Sequence, residues 1–288
     1  MRRYFLLILL FLFSLSHAKD ITIIPYGGYT TYSDANKSSS FLGGLYAKFE
    51  HDSESYEVAF ERKVISFNDY YNTTANTTQS YNDEKQNDLS LLYSYIEESI
   101  KYKIALHYIG SSSPKSNESQ AYLAGMSYRA PKGFEVGLNL CYSLYAKEAL
   151  SKHSLQLTPN AAIALAPASS PVGSLYARLF FYYANHFKSS TLIDNSYSSF
   201  EVELNQQKGR FTNRFAVWYG KQLYVIKDDI FTFYNQAEVH NGGYLLSSRY
   251  APSDSSGIKL SWIYEDLNEV GRNATHSQTI LLSYDLHF

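Results

Sequence analysis

Two clusters in the chain hold residue types that could act as nucleophile and base. His51, Asp52 and Ser53 set an imidazole two residues from a hydroxyl, and His186 stands just ahead of Ser189 and Ser190. Serine hydrolysis needs the hydroxyl within hydrogen-bond reach of the base and a third group that orients the base. The first cluster has a His-x-Ser spacing, but no Asn follows at a position that would complete a Ser-His-Asn arrangement. The second cluster lacks the spacing. No catalytic residue is assigned, and the chain reads as a non-enzyme. The His residues are scattered without paired spacing, so neither a metal site nor a cofactor is expected. A different kind of chemistry is written in charges two residues apart, Lys101 with Lys103 and Glu201 with Glu203. On a strand such pairs share one face. Opposed charged ladders would set a transverse field at a constriction; the plainer alternative is a solvated wall that bridges to itself.

These pairs require strands to hold them, and the sequence supplies a period of two. Phe134, Val136, Leu138, Leu140, Tyr142 and Leu144 alternate with Glu135, Gly137, Asn139, Cys141, Ser143 and Tyr145, a pattern that a helix would scatter around its circumference. Ile100, Tyr102, Ile104, Leu106 and Tyr108 repeat it, as do Leu175, Ala177, Leu179, Phe181 and Tyr183. Such stretches exceed the usual soluble strand of about 5 to 6 residues and suit a tilted membrane strand. Strands in one direction are expected near 21–32, 56–66, 99–109, 134–146, 174–186, 210–220 and 257–266. Returning strands are expected near 41–51, 87–97, 120–130, 154–166, 197–206, 243–251 and 275–288. Turns on the side of the amino end are mostly short, whereas 67–86 and 221–241 on the opposite side are long.

Composition and the amino end agree. A basic Met1-Arg2-Arg3 precedes an apolar run from Phe5 to Phe13, and Ser16, His17 and Ala18 form a cleavage site, so residues 1–18 read as a cleaved signal peptide and 19–288 as the mature domain. The apolar run is about half of the roughly 20 residues a membrane helix needs. Cys141 is the one cysteine, which excludes a disulfide scaffold, and the net charge of -2 leaves no basic footprint for nucleic acid. The excess is in aromatics, 28 Tyr and 17 Phe against 2 Trp, which suits belts at a bilayer boundary.

The carboxyl end is the most specific feature. Ile280, Leu282, Tyr284, Leu286 and Phe288 alternate with polar or small residues for the most part, and the chain stops on the aromatic. The ending Tyr284-x-Leu286-x-Phe288 resembles the signal by which Gram-negative outer-membrane β-barrels are recognised by their assembly machinery. The resemblance is to that porin-like class and to no single family within it. It implies an all-β, transmembrane, antiparallel up-and-down β-barrel in the cell outer membrane, for which the alternating stretches give about 14 strands, with about 12 or 16 as alternatives. The implied function is a porin-like channel for passive diffusion of small solutes, with a surface adhesin as the alternative and an outer-membrane phospholipase as a lesser one. Implied partners are outer-membrane lipid and lipopolysaccharide, the assembly machinery and small solutes. Alternation places Lys101, Lys103, Arg129, Arg178, Glu201, Glu203, Arg214, Arg249 and Lys259 on the pore-lining face.

Three places strain the scheme. Arg62 would face lipid, at up to about 2 to 4 kcal/mol at the midplane, unless a bulge or a position near the headgroups relieves it. Pro159 falls inside a strand and calls for a bulge or a break. The connection 221–241 carries Leu223, Tyr224, Val225, Ile226, Ile230, Phe231, Phe233 and Tyr234, too many apolar residues to float in water. It is expected to fold into the barrel mouth, with Lys227, Asp228 and Asp229 as a charged turn, or else to form an extra hairpin in the wall.

Overall fold

The computed structural model describes residues 18–33, 37–68, 70–72, 77–79, 82–131, 133–188, 190–227, 230–234, 238–269 and 274–288. The signal-peptide expectation falls, apart from Ala18, outside the described residues.

Fourteen antiparallel strands close into one barrel, as the alternation predicts. In chain order they are β1 (Asp20–Ser33), β2 (Lys37–His51), β3 (Glu54–Phe67), β6 (Glu84–Glu97), β7 (Ile100–Ser111), β8 (Ser119–Arg129) and β9 (Phe134–Leu144), followed by β10 (Ser151–Ala166), β11 (Ser174–Lys188), β12 (Ser196–Lys208), β13 (Phe211–Gln222), β16 (Glu238–Ser253), β17 (Ser256–Glu269) and β18 (Ala274–His287). Each pairs with its neighbours in sequence order, and β1 pairs with β18 to close the wall. Two short hairpins stand outside the wall pairing: β4 (Tyr70–Asn72) with β5 (Thr77–Gln79), and β14 (Ile226–Lys227) with β15 (Thr232–Phe233). The wall hairpin considered for 221–241 is therefore not formed.

The turns at the end holding both termini are tight because left-handed residues reverse the chain there: Asp52 and Glu98 have φ of 50° and 52°, and Gly133 and Gly209 have 77° and 56°. Phe288 closes the seam at that end, donating its N–H to Ile21 O at 2.9 Å and accepting from Ile21 N at 3.1 Å.

The faces divide by polarity. Outward residues are apolar and exposed, including Ile104, Leu138, Leu140, Leu179, Leu260 and Leu282 around the middle of the wall. Aromatics flank them: Tyr102, Tyr128, Phe134, Phe211, Tyr250 and Tyr284 toward the short-turn end, and Tyr29, Phe41, Tyr142, Phe187, Phe200 and Tyr219 toward the other. An apolar band between aromatic girdles is the surface a bilayer selects. Buried residues of the wall include many polar and charged ones, among them Lys103, His107, Asn139, Gln156, Glu201 and Glu203.

One expectation is corrected and another loses one of its two alternatives. The strand at Pro159 neither breaks nor bulges: Pro159 pairs with Leu138 in the unbroken β9 register, and pairing with β11 lapses at Thr158 and Pro159 and resumes in the same register at Asn160 opposite Phe180. A strand residue presents its N–H to one neighbour only, so proline interrupts one ladder and leaves the other whole. At Arg62 there is also no bulge. It faces outward in register between Gly43 and Asn87, near the outward Lys85, in the half of β3 nearer the long loops.

Candidate functional site

The connection after β13 turns into the barrel. Leu223, Tyr224, Val225, Ile226, Ile230 and Phe233 are all buried, because the inner wall supplies what an apolar segment with its own backbone polar groups needs. Tyr145, at the end of β9, packs its ring 4.5 Å from that of Tyr224 and donates its hydroxyl to Tyr224 O at 3.0 Å. Gln156 of β10 behaves as a strand partner in side-chain form: its Nε2 donates to Ile226 O at 2.8 Å and its Oε1 accepts from Ile226 N at 2.9 Å. Three strands along the wall, on β7, His107 Nδ1 lies 3.0 Å from Ile230 O, and Phe233 sets its ring edge-on to His107 at 5.5 Å. Phe231 meets Tyr46 of β2 at 5.5 Å. Tyr234 stacks on His240 at 4.0 Å and donates to Glu265 at 2.8 Å. The segment thus touches inward residues of β2, β7, β10, β11, β12, β13, β16 and β17, and crosses the lumen.

Its charged anchor is Lys227. The ammonium is 2.5 Å from a Glu201 carboxylate oxygen, with side-chain exposures of 6% and 3%. It also stands 4.2 Å from the Trp218 ring centroid and 5.6 Å from that of Tyr182. Trp218 can lie flat there because residue 243 is glycine: a Cβ on Gly243 would come within 2.4 Å of the indole. Lys227 is therefore a buried, paired residue of β14 and not part of the charged turn expected from Lys227, Asp228 and Asp229; the two aspartates lie outside the described residues.

The expected pore-lining residues occupy three settings. Arg129, Arg249, Lys259 and Lys101 sit toward the short-turn end; Arg129 bonds Glu135 at 2.9 Å, and Arg249 Nε donates to Asp285 at 2.8 Å. Lys103 is buried farther along β7. Arg178, Glu203 and Arg214 surround a cavity of about 320 Å³ beneath the inward segment, whose Ile226 and Lys227 form part of its lining. Glu203 pairs with Arg214 and Glu201 with Lys227, so these two acids each have their own cation. The inward roles of His107, Gln156, Tyr145 and Trp218 were missed by sequence reasoning. Their one signal is a polar or aromatic residue on the face opposite the apolar stripe.

The residues of the two candidate hydrolytic clusters that are described make other contacts. Asp52 pairs with Lys19 and lies 3.5 Å from His51 Nε2, while His186 packs edge-on against Tyr197 and Tyr224, and Ser190 Oγ accepts the Leu192 amide. Ser189 lies outside the described residues. Among the described residues no group of three or more His, Cys, Asp and Glu could hold a metal ion.

No protein-family model matches the chain, and no curated protein matches it. Solved structures do. The TodX deltaS2S3 mutant monoaromatic hydrocarbon channel aligns with a TM-score of 0.57 at 10% identity, over 96% of this chain and 92% of that one. A bacterial polysaccharide outer membrane secretin gives 0.55 at 10% identity, over 94% and 99%. The Pseudomonas putida toluene transporter TodX gives 0.54 at 10% identity, over 93% and 88%. The chain shares the fold of outer-membrane porin-like barrels.

Proposed function

We propose that this protein is an outer-membrane channel for passive diffusion of small solutes, kept narrow by residues 223–227 and 230–234. The observation that carries the reading is a closed barrel whose inner wall bears many polar and charged side chains, with a cavity of about 320 Å³ left between the wall and an inward-folded segment. A barrel built only as a scaffold would gain nothing from burying Lys227 and Glu201 inside it, since desolvating an ion pair is costly. The fold likeness to a hydrocarbon channel and a toluene transporter supports transport over catalysis. On this reading the barrel resides in the outer membrane and Tyr284, Leu286 and Phe288 meet the assembly machinery. The outward Arg62 and Lys85 would contact lipopolysaccharide phosphates, which gives Arg62 a partner in place of bare lipid.

Liposome swelling tests the reading. Vesicles holding the refolded protein should swell in small neutral solutes at a rate that falls steeply with solute size and does not saturate. Swelling no faster than protein-free vesicles for every solute would reject passive diffusion.

A further inference from the structure

Among the described residues, one cation of the cavity lining has no ion pair. The cavity beneath the inward segment is lined by Arg178, Arg214 and Lys227. Glu203 is taken by Arg214 and Glu201 by Lys227, which leaves one positive charge in excess. Arg178 stands opposite Glu203 in the β11–β12 register, yet the carboxylate turns to Arg214. Among the described residues the Arg178 side chain makes no ion pair and no hydrogen bond; its guanidinium carbon lies 4.9 Å from the centroid of the Phe180 ring. Phe180 and Tyr182 follow on the same inward face of β11, with rings 6.0 Å apart and 20° from parallel, and Thr158 and Asn139 contribute polar groups to the lining.

We infer that this cavity is a binding site for a small aromatic monocarboxylate, with the carboxylate on Arg178 and the ring against Phe180 and Tyr182. This assignment rests on the channel reading and names the class of solute the channel holds. A guanidinium offers its N–H groups in a fork that matches a carboxylate, and an aromatic shelf beside it favours a flat apolar body. A single excess charge selects a monoanion over a multiply charged solute. The volume, near the lower end of the roughly 300 to 1,000 Å³ common for small-ligand pockets, suits one ring.

Benzoate and its neutral counterpart benzyl alcohol distinguish the charge from the ring. Titration calorimetry on the full chain refolded in detergent should give benzoate an affinity about tenfold or more above that of benzyl alcohol, the difference expected of a charge-assisted pair. Arg178→Gln should remove that preference and Arg178→Lys should keep part of it, with folding checked by heat-modifiable gel mobility. Equal affinities in the unmodified chain, no binding of either, or an undiminished preference in folded Arg178→Gln would overturn the assignment. Binding in detergent needs no transport. Benzoate binding by a chain that passes no solute would therefore reject the channel and keep the site, and the converse would reject the site alone.

Discussion

Replacing Lys227 with alanine should raise the rate at which Cys141 reacts with a water-soluble maleimide by tenfold or more, because the inward segment then leaves the wall more often. Glu201 is 3% exposed, and alanine at 227 would take the Lys227 ammonium away from its carboxylate. Breaking one side of a buried pair costs about 3 to 5 kcal/mol where no water can enter, and less here because the cavity adjoins. Each 1.4 kcal/mol or so is a factor of ten in population, so even half of that cost shifts the equilibrium visibly. Cys141 is 1% exposed and belongs to the same buried cluster as Tyr224, Ile226, Ile230 and Phe233, so a thiol reagent reaches it when those residues move. Lys227→Arg keeps the charge and the aromatic contacts and should label near the unmodified rate. If Lys227→Ala labels no faster while the barrel keeps its heat-modifiable mobility, the ion pair does not hold the segment.

Deleting Phe288 should lower the amount of folded protein in the cell several-fold while leaving the purified, refolded barrel nearly as stable as before. The residue makes two backbone hydrogen bonds with Ile21, worth about 0.5 to 1.5 kcal/mol each in net terms, and it is 69% exposed. That loss is minor for a wall paired along fourteen strands. A large fall in folded yield with little change in denaturant midpoint therefore points to recognition during assembly. Equal falls in both would make Phe288 a seam residue only, and no fall in either would dismiss both roles.

The wall was legible because lipid imposes a strict rule on every second residue. Phe134 to Leu144 alternates without exception, and β9 has those bounds. Where lipid contact ends the rule lapses, although hydrogen bonding continues. Thus β6 begins at Glu84 and β10 at Ser151, each three residues before the alternation picks them up, through polar stretches with no apolar stripe. The inward course of 221–241 was legible in part, since Leu223 to Ile226 is apolar on both faces and too short to span. Its attachments were not. Gln156 and Ile226 are 70 residues apart in sequence, and His107 and Ile230 are 123 apart. Nothing local tells a lumen glutamine that bonds water from one that bonds a crossing segment. Lys227 looked like a turn because the compensating Glu201 and Trp218 lie on other strands. Arg178 was placed on the inner face by alternation, but its lack of a partner depends on which way Glu203 turns.

The central claim, that residues 223–227 and 230–234 obstruct a water-filled lumen, is tested most directly by single-channel recording of two refolded proteins, the unmodified chain and one shortened between Gln222 and Gln236. Shortening removes the Tyr224, Ile226 and Phe233 side chains from the lumen and joins β13 to β16, which are already hydrogen-bonded neighbours, so the barrel should still close. The expected result is a small, steady conductance for the unmodified chain and one several-fold larger for the shortened chain. Equal conductances from two folded barrels, or silent bilayers from both, would contradict the account.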